Sequence, residues 1–276
     1  MIGLGIAAAS LSTFATGIES ANVVGYNTQT LVAGDGLAGK YSLISIPFTG
    51  IDGKGQTIED ALSGNFFGGA NSDFGDQIQV WGYSSAGIGG YTKYYYYTDE
   101  THEWDGWYAL DETPFGDCAE NADGLEVGWT AWYLSRGSET PVVTASGAVE
   151  SSDDAQFTIY GGGYTLIASP YPVRLKLNDT TAVNWGDVYG GANSDLGDQI
   201  QVWGYSSAGI GGYTKYYYYT DETHEWDGWY ALDETWFEDV DGNKDGLDVG
   251  QPFWYFSRDD KGVNHNITFF NPMSAE

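Results

Sequence analysis

The chain has 276 residues, enough for one large domain or two of ordinary size. Its 39 acidic and 10 basic residues give a formal net charge of −29, so it lacks the clustered Lys and Arg that bind nucleic acid or anionic lipid. Because 42% of the residues are hydrophobic, global disorder is also excluded. The high counts of 22 Tyr, 11 Trp, 12 Phe and 40 Gly favour an all-β fold with tight turns.

The N-terminal segment, residues 1–21, is apolar and rich in small residues. It is typical of a secretory signal peptide, which predicts a secreted protein of the cell exterior or cell surface. The alternative is a retained apolar arm that packs between subunits. Since this run is short and no other stretch is long and apolar enough, we predict no membrane span in the mature chain.

An internal duplication dominates the rest of the sequence. Residues 68–113 recur as residues 190–235 with a single change, Phe74 against Leu196, and the two copies are 122 residues apart (68 to 190). Shorter matches continue on both sides, so the flanks have diverged while the middle has not. Recent duplication explains this pattern without any function, and selection for two equivalent surfaces explains it equally well.

Alternating side chains predict the strands. Ile78 and Val80 alternate with Gln and Trp before a Gly-rich turn, and Tyr91–Thr98 follows as the second strand of a hairpin. An Asp105–Gly106 turn is predicted between aromatic residues, and the best helix signal is Thr57–Leu62. Further strands are predicted at Tyr41–Pro47, Trp129–Ser135 and Val142–Val149, with matching strands in copy two.

We therefore predict two tandem copies of a small β-sandwich or barrel-like domain, residues 22–145 and 146–276. The segment Gly163–Pro172 (GYTLIASPYP) resembles the GWNLIGNPYP strand of secreted bacterial β-repeat modules. Gln201-Val202-Trp203 followed by Tyr213 resembles their IxxWN…Y hairpin, and Gly250–Trp254 resembles their PGQGFW strand. The resemblance implies a β-fold found in surface and extracellular proteins, often without an established activity.

A candidate calcium site lies in copy two, where Asp241–Asp248 matches D-x-N-x-D-G-x, the opening of an EF-hand-type loop. The predicted ligands to this cofactor are Asp241, Asn243, Asp245, Leu247 and Asp248. The usual Glu at position twelve is absent, since Pro252 stands there. The alternative is a polar turn without metal. A second acidic loop, Asp99–Asp105, repeated as Asp221–Asp227, combines His with carboxylates but matches no specific metal motif, so a solvated loop is the preferred interpretation.

Aromatic side chains around the repeated hairpin suit the stacking of sugar rings, which present apolar C–H faces. The candidate ligand-binding residues are Trp81, Trp104, Trp107, Tyr108, Trp203, Trp226, Trp229 and Tyr230. The preferred interpretation of the same residues is packing in the core or at subunit interfaces.

Enzyme signals are poor, since no nucleophile motif and no phosphate-binding loop are present, and we predict that the protein is not an enzyme. The leading hypothesis is a structural subunit that assembles with itself, head to tail, into an extracellular filament, sheath or surface layer. The predicted joining segment adds to a neighbour's sheet edge, and its residues include Asn22, Val23, Val24, Tyr26, Leu31 and Val32. The main alternative is a tandem carbohydrate-binding or adhesive protein whose partner is a polysaccharide.

Overall fold

The computed structural model describes residues 24–36, 38–50, 56–83, 89–110, 128–232, 246–258 and 262–274. Nearly all regular structure in these ranges is β-strand, arranged as two sandwich-like pairs of sheets, which confirms the all-β prediction. The helix α1 (Ile58–Ala61) is a single turn, and the Thr57 side chain caps it by accepting a hydrogen bond from the backbone N–H of Asp60. No helix in the described ranges is long and apolar enough to cross a membrane.

Within the described ranges, eight strands build each pair of sheets. The first pair contains β1 (Val24–Thr30), β2 (Lys40–Ile46), β3 (Leu62–Gly64), β4 (Gln77–Tyr83), β5 (Gly89–Tyr97), β6 (Gly106–Ala109), β7 (Trp129–Ser135) and β8 (Val142–Ala148). The second pair contains β9 (Asp154–Ile159), β10 (Tyr164–Ile167), β11 (Val183–Asn184), β12 (Gln199–Tyr205), β13 (Gly211–Tyr219), β14 (Gly228–Ala231), β15 (Phe253–Phe256) and β16 (His265–Phe270).

The strand order is the same in both pairs. The three-stranded sheets run β1-β8-β3 and β9-β16-β11, and the five-stranded sheets run β2-β7-β4-β5-β6 and β10-β15-β12-β13-β14. The register also repeats, since Gln77 pairs with Tyr95 in one hairpin and Gln199 with Tyr217 in the other. A position in one repeat therefore has a structural counterpart in the other.

The five-stranded sheets carry large side chains on both faces. On β4, Ile78 is fully buried against the three-stranded sheet, whereas Gln79 and Trp81 point to the opposite face, as the period of a strand requires. On β5, Tyr94 belongs to the same core, and Tyr95 is buried in a separate cluster on the other face. The second face of each five-stranded sheet thus carries large side chains that must be buried, and the other repeat buries part of them.

A buried carboxylate ties each sandwich together. Asp198 has no exposed surface and accepts hydrogen bonds from the backbone N–H of Tyr189 (2.9 Å), the backbone N–H of Arg258 (2.6 Å) and the hydroxyl of Tyr255 (2.7 Å). Asp76 accepts the corresponding bonds in the first repeat. Burial raises the pKa of Asp198 in spite of these three donors, and burial together with the nearby carboxylate raises the pKa of Tyr255 well above its ordinary value.

Replacing Asp198 tests this role. Asp198→Ala leaves three buried donors without an acceptor, so we expect the free energy of unfolding to fall by at least about 3 kcal/mol in urea titrations. Tyr255→Phe removes one donor and should cost about 1–2 kcal/mol. The exposed neighbour Asp195 is the matched control, and Asp195→Ala should change stability by less than about 0.5 kcal/mol. Equal effects of Asp198→Ala and Asp195→Ala would refute the structural role of the buried carboxylate.

Candidate functional site

The two repeats meet through paired tryptophan contacts. Trp81 packs edge-on against Trp254 with ring centroids 5.4 Å apart, and Trp132 packs in the same way against Trp203 at 5.3 Å. Trp81 and Trp203 are counterparts in the two repeats, as are Trp132 and Trp254. Exchanging the repeats therefore turns one contact into the other, which is the defining property of an isologous interface.

Hydrogen bonds also cross this interface. The backbone carbonyl of Tyr41 accepts from the indole Nε1 of Trp203 at 2.9 Å and from the hydroxyl of Tyr205 at 2.8 Å. The buried Ser45 hydroxyl donates to the carbonyl of Gly250 at 2.5 Å. The interface between the repeats therefore contains hydrogen bonds between polar groups as well as ring contacts.

Two pockets open between the five-stranded sheets beside the tryptophan contacts. The first, which we call the Tyr164 pocket, has a volume of about 380 Å³ and is lined by Trp81, Tyr91, Trp132, Tyr164, Gln201, Tyr213 and Trp254. The second, which we call the Tyr41 pocket, has a volume of about 290 Å³ and is lined by Tyr41, Gln79, Tyr91, Trp132, Trp203 and Tyr213. Exchange of the repeats maps the lining of the Tyr41 pocket onto that of the Tyr164 pocket, which also includes Trp132, and three side chains line both.

Half-exposed tyrosines form the rims of these pockets. Four tyrosines each leave about two fifths of their surface exposed: Tyr41 (39%), Tyr91 (40%), Tyr164 (42%) and Tyr213 (39%). Their rings stand at steep angles to the tryptophans, as in Trp81–Tyr91 at 66° and Trp203–Tyr213 at 68°. The cleft therefore presents aromatic faces to solvent from several directions.

A relay of amides orients one glutamine in each pocket. Nε2 of Gln77 donates to the carbonyl of Ser72 at 2.5 Å, and Nε2 of Gln79 donates to Oε1 of Gln77 at 3.0 Å. The second repeat has the same relay, ending at Gln201. One of the two Nε2 N–H groups of the last glutamine is engaged in this relay, which fixes the amide, and its Oε1 and second N–H are the groups that we expect a ligand to meet.

The lining of the cleft is uncharged. Aromatic rings and amides are the only side chains among the described residues that line the two pockets. Burial raises the pKa of Tyr91 and of Tyr213, against hydrogen bonds from the side chains of Trp132 and Trp254. Both hydroxyl groups therefore stay protonated at neutral pH and are able to donate hydrogen bonds.

The predicted ligand-binding residues fall into three groups. Trp81 and Trp203 lie in the cleft. Trp107 and Trp229 are 1% exposed and lie in the sandwich cores, so neither offers a face to a ligand. Four more residues lie outside the cleft: Tyr108 and Tyr230, which are buried in tyrosine clusters, and Trp104 and Trp226, which lie on the loops that precede β6 and β14.

The His-containing loops are held by hydrogen bonds of their own. Oδ1 of Asp99 accepts from the backbone N–H and the hydroxyl of Thr101 and from the backbone N–H of His102. These bonds, with those from Thr101 foremost, lower the pKa of Asp99. His102 adopts a positive φ of 53° and its Nδ1 lies 2.9 Å from Oδ2 of Asp105, so the chain reverses across residues 98–105 and Gly106 already pairs with Tyr97. The predicted Asp105–Gly106 turn is therefore wrong, because Gly106 is the first residue of β6.

The candidate calcium ligands are only partly described. Asp241, Asn243 and Asp245 lie outside the described residues. Leu247 is buried and exchanges backbone hydrogen bonds with Leu175, and the exposed Asp248 lies 3.6 Å from Nε of Arg174. Among the described residues, no group of three or more His, Cys, Asp or Glu is placed to hold a metal ion. Calcium binding stays a prediction from the sequence.

The predicted joining segment forms part of its own sheet. β1 pairs with β8 over its whole length, from Val24 opposite Ala148 to Thr30 opposite Val142. Val24 and Tyr26 are exposed, whereas Leu31 is buried in the core of the first sandwich. Val32 donates its backbone N–H to Ser42, and Asn22 and Val23 lie outside the described residues.

Several cleft residues were not predicted from the sequence. They are Tyr41, Gln79, Tyr91, Trp132, Tyr164, Gln201, Tyr213 and Trp254. One signal was available, because Tyr41 matches Tyr164 and Trp132 matches Trp254 in flanks that have otherwise diverged. An aromatic residue kept in both diverged flanks points to a shared packing or binding role.

Comparisons of the chain with protein-family models, with curated proteins and with solved structures give no match. The functional inference therefore depends on the geometry and chemistry of the cleft.

The calcium prediction has a direct test. If the Asp241–Asp248 loop binds calcium, added millimolar calcium should raise the melting temperature, because a ligand that binds only the folded state stabilises it. Asp245→Ala should abolish the increase, and magnesium serves as the control for general screening of the net charge of −29. An equal increase with both metals, or no increase with either, would contradict the prediction.

Proposed function

We propose that this protein is an extracellular carbohydrate-binding protein whose inter-repeat cleft binds a neutral polysaccharide. The observation that carries the proposal is the pair of solvent-open pockets, each with exposed aromatic faces and an oriented glutamine amide. Their volumes lie near the lower end of the range for small-ligand pockets, about 300–1,000 Å³.

Aromatic faces suit a sugar because one face of a pyranose ring is a surface of C–H groups. Tyr41, Tyr91, Tyr164 and Tyr213 each leave ring surface exposed, and this surface is removed from water when a sugar stacks on it. Scattered single exposed aromatics are ordinary on protein surfaces, but these four converge on one cleft.

The glutamine amides favour a sugar over the other kinds of ligand that aromatic pockets bind. A quaternary ammonium ion is also bound by several aromatic rings, but it forms no hydrogen bonds. The relays that end at Gln79 and Gln201 hold an amide acceptor at each pocket, and the hydroxyls of Tyr91 and Tyr213 add donors. A polyhydroxylated ligand uses these groups, and a simple cation does not.

Charge favours a neutral glycan over an acidic one. The chain has a net charge of −29, which repels uronic acid or sulfated polymers at a distance. The described lining of the pockets offers no basic side chain that would offset this repulsion. A polymer without charge meets no such barrier.

Two of the three side chains shared by the pockets, Tyr91 and Tyr213, give the sharpest test. Replacing both Tyr91 and Tyr213 with Ala removes stacking surface from both pockets, so we expect affinity for a neutral β-glucan or xylan to fall at least about tenfold in affinity electrophoresis. Tyr26→Ala is the matched control, because Tyr26 is 79% exposed on β1, outside the cleft lining, and should leave retention unchanged.

Other outcomes of this experiment would contradict the proposal. Retention that survives the Tyr91 and Tyr213 replacements but is lost when Trp104 and Trp226 become Ala would move the site to the loops. Retention that is abolished by millimolar choline but unaffected by free oligosaccharide would identify a cation site. The absence of retention on every neutral polysaccharide would refute glycan binding.

Self-assembly into a filament, sheath or surface layer is a second candidate function. β1 is an edge strand among the described strands of its sheet, and its side chains Val24 (60%) and Tyr26 (79%) are exposed. An open strand edge is a template for pairing with another chain. Since Leu31 belongs to the core, deleting residues 22–32 would also disturb the fold, so point variants are the better test.

Electron microscopy of the purified protein, with and without calcium, should show ordered polymers if this second function holds. The combined change Val24→Lys and Tyr26→Lys should then remove the polymers without lowering the melting temperature, because both side chains are exposed and charge on an edge strand opposes pairing. Ile210→Lys, at a 70% exposed turn residue, is the control. Monodisperse wild-type protein in both conditions, or polymers that persist in the double variant, would contradict assembly through β1.

A further inference from the structure

The two pockets have different side chains at an equivalent position beside their rim tyrosines. Tyr164 pairs across the sheet with Phe256, and Tyr41 pairs with Leu134 at the same register of the other sheet. Phe256 and Leu134 are counterparts in the duplicated sequence, 122 residues apart (134 to 256). The symmetry of the cleft is therefore broken beside the tyrosine that distinguishes each pocket.

The difference changes how the rim tyrosine is held. Tyr164 stacks on Phe256 with ring centroids 4.4 Å apart and an angle of 17° between the rings. Cζ of Arg258 lies 4.7 Å from the centroid of the Phe256 ring, so Phe256 is itself held by a cation–π contact. Leu134 has no ring to stack on Tyr41. Both tyrosines also meet a tryptophan edge-on, at 6.1 Å for Tyr164–Trp254 and 5.9 Å for Tyr41–Trp132, so that contact does not distinguish them.

We propose, given the glycan-binding function above, that the two pockets bind unequally and that Phe256 makes the Tyr164 pocket the tighter one. A ring that is already stacked loses less rotational freedom when a sugar packs on its open face. Pre-ordering one side chain of this kind corresponds to about a three- to tenfold gain in affinity. Tyr164 as a residue is 42% exposed, so stacking on Phe256 does not bury it.

Two pockets of unequal affinity make the cleft bind a polysaccharide chain in one orientation in preference to the other. A polysaccharide chain has two different ends, and a perfectly two-fold symmetric cleft would bind it equally well in both orientations. A tight pocket beside a weak one instead anchors one part of the chain first. The second pocket then adds avidity, because it lies close enough to share Tyr91, Trp132 and Tyr213 with the first.

The test isolates each pocket in the full-length protein by calorimetric titration with a neutral oligosaccharide that the wild type binds. Tyr41→Ala leaves the Tyr164 pocket and should retain most of the affinity, whereas Tyr164→Ala leaves the weaker pocket. Adding Phe256→Leu to the Tyr41→Ala protein should then weaken binding about three- to tenfold. Adding it to the Tyr164→Ala protein should change nothing, which makes this the matched control. Melting temperatures establish that each variant is folded.

The outcomes separate this inference from the function on which it depends. If the wild type binds no neutral oligosaccharide, the proposed function fails. If the wild type binds but Tyr41→Ala and Tyr164→Ala lose affinity equally, and Phe256→Leu has no effect in the Tyr41→Ala background, glycan binding stands and the inequality is refuted. The reciprocal change Leu134→Phe should strengthen the Tyr41 pocket in the Tyr164→Ala protein, and a folded variant without that gain would also count against the role of the stacked ring.

Discussion

The fold depends on the need to cover both faces of each five-stranded sheet. One face, with Ile78 on β4, is covered by the three-stranded sheet of the same repeat, but the other face carries rings such as Trp81. Exposed on a lone sandwich, these rings would form a large apolar patch, which folded proteins bury against a partner. Here the partner is the other repeat, and the Trp81–Trp254 and Trp132–Trp203 contacts make the join. The cleft is the part of this interface that stays open.

The internal symmetry of the cleft explains why its tryptophans have counterparts in both repeats and why the difference between Leu134 and Phe256 matters. An isologous contact requires both members of each residue pair in both copies, so Trp81 and Trp132 must have counterparts at Trp203 and Trp254. The repeated block supplies Trp81 and Trp203, and the diverged flanks supply Trp132 and Trp254. Against such a background, the exchange of Leu134 for Phe256 stands out, because it lies beside the cleft.

Charge is distributed in a way that fits a neutral ligand. A net charge of −29 repels anions, while the described lining of the two pockets holds only rings and amides. The buried polar groups of the sandwich, such as Asp198, are satisfied within the protein. The groups turned to the cleft, including Gln79 and Gln201, are instead left with capacity for a ligand.

The sequence by itself determined the fold class, most strand positions and the duplication, because strand periodicity and repetition are local patterns along the chain. It also included Trp81 and Trp203 among the candidate binding residues. It did not separate them from Trp107 and Trp229, because a ring in the core and a ring in a cleft have the same local pattern until the faces of the sheets are assigned. The pairing of Tyr41 with Leu134, the partners of Asp198 and the meeting of Trp132 with Trp203 join residues far apart in the chain. Only the tertiary structure decided these, since they depend on how two sandwiches pack face to face.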